Sequence, residues 1–175
     1  MRLQRTEGFT LIELLIVVAI IGIIAAIAIP GLLRARMSGN EASAIGSLRV
    51  INSAQHAYVA ACGNGLYAAD LTVLGTPPLF GGAGFISPDL GTGVTVIKSG
   101  YDITMVGSAA AGAPASCNGG AVANGYYATA NPQAFLTSGS RYFWSNASGS
   151  IYQDPAAAIA DTNETGPPAT GTPIQ

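Results

Sequence analysis

An unbroken apolar run from Leu11 to Ile29 dominates the pattern of hydrophobic and polar residues along this 175-residue chain. Glu13 is the only charged residue in the run. Because an α-helix rises about 1.5 Å per residue, a helix over residues 9–33 is long enough to cross the roughly 30 Å hydrocarbon core of a bilayer. A lone carboxylate in such a helix costs about 2.5–3.5 kcal/mol on insertion scales. The pattern therefore predicts a membrane-spanning helix whose one carboxylate needs a partner and a function.

Beyond Pro30 the apolar positions narrow to one stripe. Its members recur at spacings of three and four, typical of one face of a helix: Ile45, Leu48, Ile51, Ala54, Tyr58 and Cys62. The polar residues of this stretch fall on the other faces of the helix: Arg34, Asn40, Glu41, Ser47, Asn52 and His56. The Gly63-Asn64-Gly65 sequence predicts the end of the helix. Pro30 removes a backbone hydrogen bond, so a kink or local melting is expected near residues 26–30.

The remainder of the chain predicts a small antiparallel sheet. Five short runs are typical of strands, and turn residues join four of them into two hairpins: Val94–Ile97 with Tyr101–Val106, Arg141–Ser145 with Ser150–Gln153, and Tyr126–Ala130. Residues 63–93 and 107–124 are interpreted as loops. Pro, Ala, Thr and Gly dominate residues 155–175, which predicts a flexible tail. The expected fold class is α+β, with a long N-terminal helix packed on a β domain at 63–154.

The sequence Gly8-Phe9-Thr10-Leu11-Ile12-Glu13, followed by an apolar helix, resembles the processing site of type IV pilins and type II secretion pseudopilins. The resemblance implies that residues 1–8 are a leader removed after Gly8, and that Phe9 becomes the N-methylated first residue. It also implies that Glu13 pairs with the amino terminus of a neighbouring subunit. Gly22 and Pro30 resemble the helix-weakening pair that bounds a stretch melted in many assembled filaments.

The same resemblance implies a pilin fold, with residues 9–33 as the transmembrane or filament-core helix and residues 34–62 as its amphipathic half. The implied partners are further copies of the chain, a prepilin peptidase/N-methyltransferase, and the inner-membrane pilus or secretion assembly machinery. The precursor would lie in the bacterial inner membrane. The assembled form would be an extracellular filament, or a periplasmic one in a secretion system.

Three functions remain open at this stage. The first is a structural subunit of a type IV pilus, in which motility and adhesion belong to the fibre. The second is a pseudopilin that forms a periplasmic piston, although Trp144 lacks the tryptophan–glycine–proline cluster of major pseudopilins. The third is a membrane-anchored binding protein that never polymerises. An ordinary secretory signal is disfavoured because the apolar run is too long and contains Glu13.

Composition argues against several other classes of protein. The chain is 49% hydrophobic and 9% charged, with a net charge of −2. Only Lys98 and Arg141 are basic after Arg49, so direct nucleic-acid binding, which needs clustered cations, is not supported. His56 and Cys62 are six residues apart on the predicted helix and face different directions, which disfavours a Cys–His dyad. The sequence predicts no enzyme activity, no cofactor and no metal site.

Two modifications are indicated. On the oxidising side of the membrane Cys62 and Cys117 would form one disulfide, the alternative being two free buried thiols. Asn163 lies in Asp161–Thr165, which resembles the extended acidic sequon of some bacterial N-glycosylation systems, so Asn163 is a candidate glycosylation site.

Overall fold

The structure is a computed structural model that describes residues 8–174. The leader expected at residues 1–8 lies outside the described residues except for Gly8. The chain forms two compact units that meet between Arg36 and Met37. Helix α1 (Leu11–Ala61) contributes to both units and ends just before the predicted Gly63-Asn64-Gly65 terminator.

The second unit is a sheet with α1 residues packed on one face. Its elements after α1 follow in chain order: β1 (Tyr67–Ala68), α2 (Leu71–Gly75), β2 (Thr95–Lys98), β3 (Tyr101–Ala109), β4 (Val122–Pro132), β5 (Tyr142–Asn146), β6 (Ile151–Asp154) and β7 (Thr172–Pro173). The sheet order is β2-β3-β4-β5-β6-β7, and β1 pairs with the start of β4. All these pairings are antiparallel. The predicted α+β fold and both hairpins are confirmed, while β1, α2 and β7 were not predicted.

The apolar stripe of α1 packs on the sheet. Leu48, Ile51 and Tyr58 are completely buried, and alternate residues of β3 meet them from the sheet side. Because side chains of a strand alternate between its two faces, this period of two is expected where one face covers a helix. Each large apolar side chain removed from water stabilises the fold by about 1.5–3 kcal/mol.

Three polar residues of α1 are buried although they lie away from the apolar stripe. A helical pattern predicts contact with solvent at such positions, but Glu41, Ser47 and Asn52 are all buried. Asn52 Oδ1 accepts a hydrogen bond from the Tyr126 hydroxyl at 2.9 Å, and Asn52 Nδ2 donates to Ser145 Oγ at 2.8 Å. Burial of polar groups is tolerated when each finds a partner. No buried side-chain nitrogen or oxygen of the described residues lacks one.

Gln55 makes a second polar contact between α1 and the sheet. Its amide is fully buried and pairs with both backbone groups of Ala68 in β1. Gln55 Nε2 donates to the Ala68 carbonyl, and the Ala68 N–H donates to Gln55 Oε1, each at 2.9 Å. The side chain thereby supplies the hydrogen bonds that a neighbouring strand would otherwise give to Ala68.

The opposite face of the sheet is covered by the C-terminal segment. Trp144 is completely buried although it points away from the core that contains Phe143. Trp144 Nε1 donates to the Asp161 carbonyl at 3.0 Å, and Ile159 is also buried. Strand β7 extends the sheet beyond β6. The sequence predicts a flexible tail here, whereas residues 155–174 contact the sheet, because a Pro- and Gly-rich segment can still offer backbone hydrogen bonds.

A disulfide joins Cys62, just past the end of α1, to Cys117 in the loop between β3 and β4. The Cys117 N–H also donates to the Cys62 carbonyl at 3.0 Å. The two residues are 55 positions apart. In the chain-entropy treatment, closing a loop of this length destabilises the unfolded state by about 4 kcal/mol. The predicted disulfide is therefore present and fixes the end of α1 to the sheet unit.

Glu41 carries the buried charge of the helix–sheet contact. Its Oε1 accepts hydrogen bonds from Ser140 N at 2.8 Å and Ser140 Oγ at 2.9 Å. Its Oε2 accepts from Arg141 Nε at 2.9 Å and Arg141 Nη2 at 2.6 Å. Burial by itself raises the pKa of Glu41, but the hydrogen bonds from Ser140 and Arg141 outweigh it and hold the pKa below the usual 4.5.

The depressed pKa makes this contact sensitive to acid. The stabilisation is fully present above about pH 4.5 and is lost as the pH falls through the lower folded-state pKa of Glu41. We expect Glu41→Gln to lower the free energy of unfolding of the sheet unit by about 1–3 kcal/mol at neutral pH. Urea unfolding of the full chain in detergent micelles, followed by Trp144 fluorescence, measures this difference.

The difference between the parent and Glu41→Gln should shrink on acidification, because protonation removes the same charge from the parent. Asp102→Asn is the matched control, since Asp102 makes no side-chain hydrogen bond within residues 8–174. A difference that stays constant with pH would contradict the role assigned to the Glu41 carboxylate.

Candidate assembly segment

The predicted cleavage site lies immediately before α1. Gly8, Phe9 and Thr10 precede the helix without regular secondary structure. Phe9 is 87% exposed, and Gly8 is exposed as well. Irregular, uncovered backbone of this kind is what a peptidase needs to reach a peptide bond. Cleavage after Gly8 and methylation of Phe9 stay predictions.

Thr10 and Glu13 form a reciprocal cap at the start of α1. The Glu13 N–H donates to Thr10 Oγ1 at 3.3 Å. In return Glu13 Oε2 accepts from the Thr10 N–H at 3.3 Å and from the Thr10 hydroxyl at 3.0 Å. This is a capping box, which satisfies backbone donors at both positions. The capping box was not predicted above, although the spacing Thr-x-x-Glu before an apolar run is its recognised signature.

The cap fixes where the single carboxylate of the apolar run lies. Glu13 is held at the N-terminal end of α1, where the helix dipole favours negative charge. Its hydrogen bonds to Thr10 all use Oε2, so Oε1 keeps its capacity to accept a donor from elsewhere. The carboxylate is thereby directed toward the backbone just after Phe9, whose nitrogen would become the amino terminus after cleavage.

The apolar surface of the first unit is uncovered within the described residues. All large apolar side chains from Phe9 to Leu33 are between 49% and 87% exposed. The most apolar 18-residue window of α1 has a mean hydropathy of 3.1, and none of that window is buried. The helix is therefore long and apolar enough to cross a membrane. A helix that is apolar all round needs lipid or protein around it.

Gly22 and Pro30 both lie inside α1, and the helix is continuous through them. The structure thus contains no break over the predicted residues 26–30. Pro30 has no N–H, so the carbonyl one turn earlier lacks its usual helical donor. A Cβ at Gly22 would meet nothing within 4 Å. The melting of this stretch in a filament stays a prediction.

The remaining residues singled out from the sequence lie in the second unit. His56 is exposed on α1, and the sulfur of Cys62 is bonded to Cys117. Cys62 is therefore not available as a nucleophile for a Cys–His dyad. Asn163 is exposed in the C-terminal segment, and its Oδ1 accepts from Thr165 N at 3.2 Å and Gly166 N at 3.0 Å.

The fold and this segment define a class of protein that combines an apolar N-terminal helix with a disulfide-linked sheet unit. The prokaryotic N-terminal methylation motif matches residues 3–29. The chain is 48% identical over 54 residues to the type IV major pilin protein PilA of Myxococcus xanthus, covering 31% of this chain and 24% of that protein. It is 59% identical over 39 residues to the type IV wide pilus major component PilA4 of Thermus thermophilus, covering 22% of this chain and 30% of that protein.

These matches show that the N-terminal part of the chain is similar to that of type IV pilins. The chain thus matches less than a third of the length of either curated relative. No solved structure matches it. The pilin resemblance stated from residues 8–13 is confirmed.

The capping box makes a direct prediction for the start of α1. Thr10→Val keeps the side-chain volume but removes the hydroxyl, and loss of a threonine cap costs a helix about 0.5–2 kcal/mol. We expect faster amide hydrogen exchange at Glu13 and Leu14 of the full chain in micelles, because their N–H groups are the ones bonded to Thr10. Thr137→Val, at an exposed loop position, is the control and should leave these amides unchanged. Equal exchange in Thr10→Val and the parent would show that the cap does not hold the first turn.

Proposed function

We propose that this chain is a structural subunit of a type IV pilus. A membrane prepilin peptidase/N-methyltransferase cuts it after Gly8 and methylates Phe9, and the product polymerises through residues 9–33 into a surface filament. The observation that carries the proposal is an exposed apolar helix with one carboxylate, Glu13, capped at its N-terminal end. The two relatives named as major pilus components support it.

Charge pairing supplies the direction of assembly in this proposal. A carboxylate in the apolar part of a bilayer costs about 2.5–3.5 kcal/mol on insertion scales. The amino group of Phe9 on a neighbouring subunit neutralises Glu13, whose Oε1 accepts the new hydrogen bond. When a subunit joins the fibre, the free-energy cost of its unpaired Glu13 carboxylate in lipid is therefore removed. Apolar packing of residues 11–33 between copies then holds the fibre together.

The subunit waits in the bacterial inner membrane before assembly, where the pilus machinery takes it up. After extraction, the fibre core replaces lipid around the apolar helix. Motility or adhesion would belong to the assembled fibre and its motor. In this proposal the chain acts as a building block, because its exposed apolar helix can pack against further copies of itself.

A pseudopilin of a type II secretion system is the second candidate. The same N-terminal segment would serve there, since a pseudopilus also forms from processed subunits. The pilus is favoured because both relatives reported above are pilus components. In addition Trp144 is followed by Ser145 and Asn146 and so is not part of a tryptophan–glycine–proline cluster. A membrane-anchored binding protein that never polymerises would keep its leader.

The first experiment is an intact mass of this chain in sheared surface filaments. A chain that begins at methylated Phe9, with Cys62 and Cys117 oxidised, is expected to be abundant in the filament pellet. Processed chain confined to the cell envelope would favour the pseudopilin. An uncut chain would overturn the proposed maturation.

Variants of Glu13 separate charge from helix capping. We expect Glu13→Ala and Glu13→Gln to be processed normally but to yield few sheared filaments, because neither can neutralise the Phe9 amino group. Glu13→Gln can still accept the hydrogen bonds from Thr10. Thr10→Val weakens the cap yet keeps the charge, so it should assemble better than both. Filaments at parental level from Glu13→Gln would sink the charge-pairing mechanism.

We also propose Asn163 as a glycosylation site. The residue is exposed, and its side-chain oxygen is engaged by Thr165 and Gly166, which leaves Nδ2 as the free atom of the amide. A glycan on Nδ2 would extend from the surface of the C-terminal segment. We expect a glycopeptide that contains Asn163 in native material and none in Asn163→Gln. A fully occupied, unmodified peptide would end this proposal.

A further inference from the structure

The loop between β4 and β5 carries an exposed apolar tip. We define the 133–140 loop as Gln133 to Ser140, a segment without charged residues. At its tip Phe135 is 41% exposed and Leu136 is 65% exposed. Exposed apolar side chains occur singly on most proteins, so two adjacent ones need a further reason before they suggest a function.

The backbone supplies that reason, because the tip is held in a disfavoured conformation. Leu136 has a φ of 63°, a left-handed value that is unusual for a bulky residue. The turn is closed by hydrogen bonds from Leu136 N to Gly139 O and from Ser138 N to Ala134 O, each 2.8 Å. Such conformations persist where the surrounding structure enforces them, and they cluster at functional positions.

The 133–140 loop is braced against the first residues of the sheet unit. Asn40 Nδ2 donates to the Ser138 carbonyl at 2.8 Å, and Glu41 accepts both hydrogen bonds from Ser140. Phe135 stacks on Tyr142, with ring centroids 5.6 Å apart. The apolar tip is therefore presented by a fixed scaffold at the end of the unit where Asn40 and Glu41 lie.

The chain enters the sheet unit at the end that carries the 133–140 loop. Residues 34–36 alone separate the proposed membrane-spanning segment, residues 9–33, from the unit that begins at Met37. The membrane tether thus enters the sheet unit at the end that carries the 133–140 loop. The opposite end of the sheet unit, at Cys62, lies about 33 Å from Asn40 along the helix axis. A short tether keeps the effective concentration of lipid near the loop high, so a small apolar tip is enough for binding.

We propose that Phe135 and Leu136 dip into the interfacial layer of the phospholipid bilayer while the subunit is anchored there. Aromatic and leucine side chains suit this layer, and Tyr142, on which Phe135 stacks, suits its wet, headgroup side. The contact orients the sheet unit on the membrane surface and ends when the subunit is extracted. It rests on the proposed membrane anchoring of residues 9–33.

The test places a fluorescent reporter in the tip. The full-length variant Phe135→Trp is reconstituted into vesicles of phosphatidylcholine and phosphatidylglycerol in equal amounts, with or without bromine on the acyl chains near the glycerol. Trp144 is the one tryptophan of the parent sequence and is completely buried. The emission of the parent chain is therefore subtracted from that of the variant. We expect the added emission to shift to the blue and to lose intensity with brominated lipid.

Phe80→Trp is the matched control. Phe80 is 96% exposed in the loop whose Leu79 N–H donates to Cys117 O at 3.0 Å, near the far end of the unit. Its emission should stay unshifted and unquenched. If Phe135→Trp lowers the melting temperature, Thr137→Trp, also exposed on this loop, replaces it as the reporter.

The outcomes separate this inference from the proposed function. Co-flotation of the chain with vesicles tests the anchoring first. Chain that floats but shows no bromine quenching at residue 135 overturns the inference and leaves the anchoring intact. Equal quenching at residues 80 and 135 overturns it as well, because both ends of the sheet unit would then contact lipid. Protection of residue 135 only in filaments would assign the tip to contacts between copies, against our proposal.

Discussion

Water cannot stabilise the surface that α1 presents between Phe9 and Leu33, and the properties of the N-terminal unit depend on that constraint. The side chains there are apolar around the whole circumference and exposed. Burial of such surface contributes roughly 25 cal/mol per Å², so a change of surroundings from lipid to protein is nearly neutral, while exposure to water is not. The hydrophobic effect therefore favours burial of this apolar surface, but it does not favour protein over lipid as the surroundings. In the proposed function Glu13 adds the preference for protein, since a carboxylate is tolerated far better beside an amino group than in hydrocarbon.

The sheet unit solves a different problem, which is how to hold a helix that also belongs to another unit. Its apolar stripe is flanked by polar anchors at Glu41, Asn52 and Gln55, which lie over about 21 Å of helix. Each anchor reaches a different part of the sheet: the loop before β5, the β4–β5 pair, and β1. Unlike apolar packing, these hydrogen bonds fix the register and rotation of α1. A shift of the helix by one turn would leave several buried polar groups without partners.

Periodicity in the sequence was enough to predict α1, the hairpins and their order, because each is a local pattern of apolar and turn residues. The disulfide followed from the presence of two cysteines. The polar anchors could not be predicted in this way. Periodicity treats Glu41 and Asn52 as solvent-facing, while their burial depends on Ser140, Arg141 and Tyr126, which lie 74 to 100 residues further along the chain. The spacing of Thr10 and Glu13 alone is enough to predict the capping box. The resemblance to a processing site instead assigned Glu13 a role in assembly.

The C-terminal segment was misjudged from composition, and its actual place has a consequence for the biogenesis of the subunit. Trp144 and the outer face of the sheet are covered by residues 159–166, and β7 completes the sheet edge beside β6. Synthesis delivers these residues after the helix–sheet core. That core can form from earlier residues, yet its second face stays open to water until the C-terminal segment from residue 155 onward has followed. A subunit whose translation stops early would display that uncovered face, which gives a protease or chaperone in the envelope a physical mark of incompleteness.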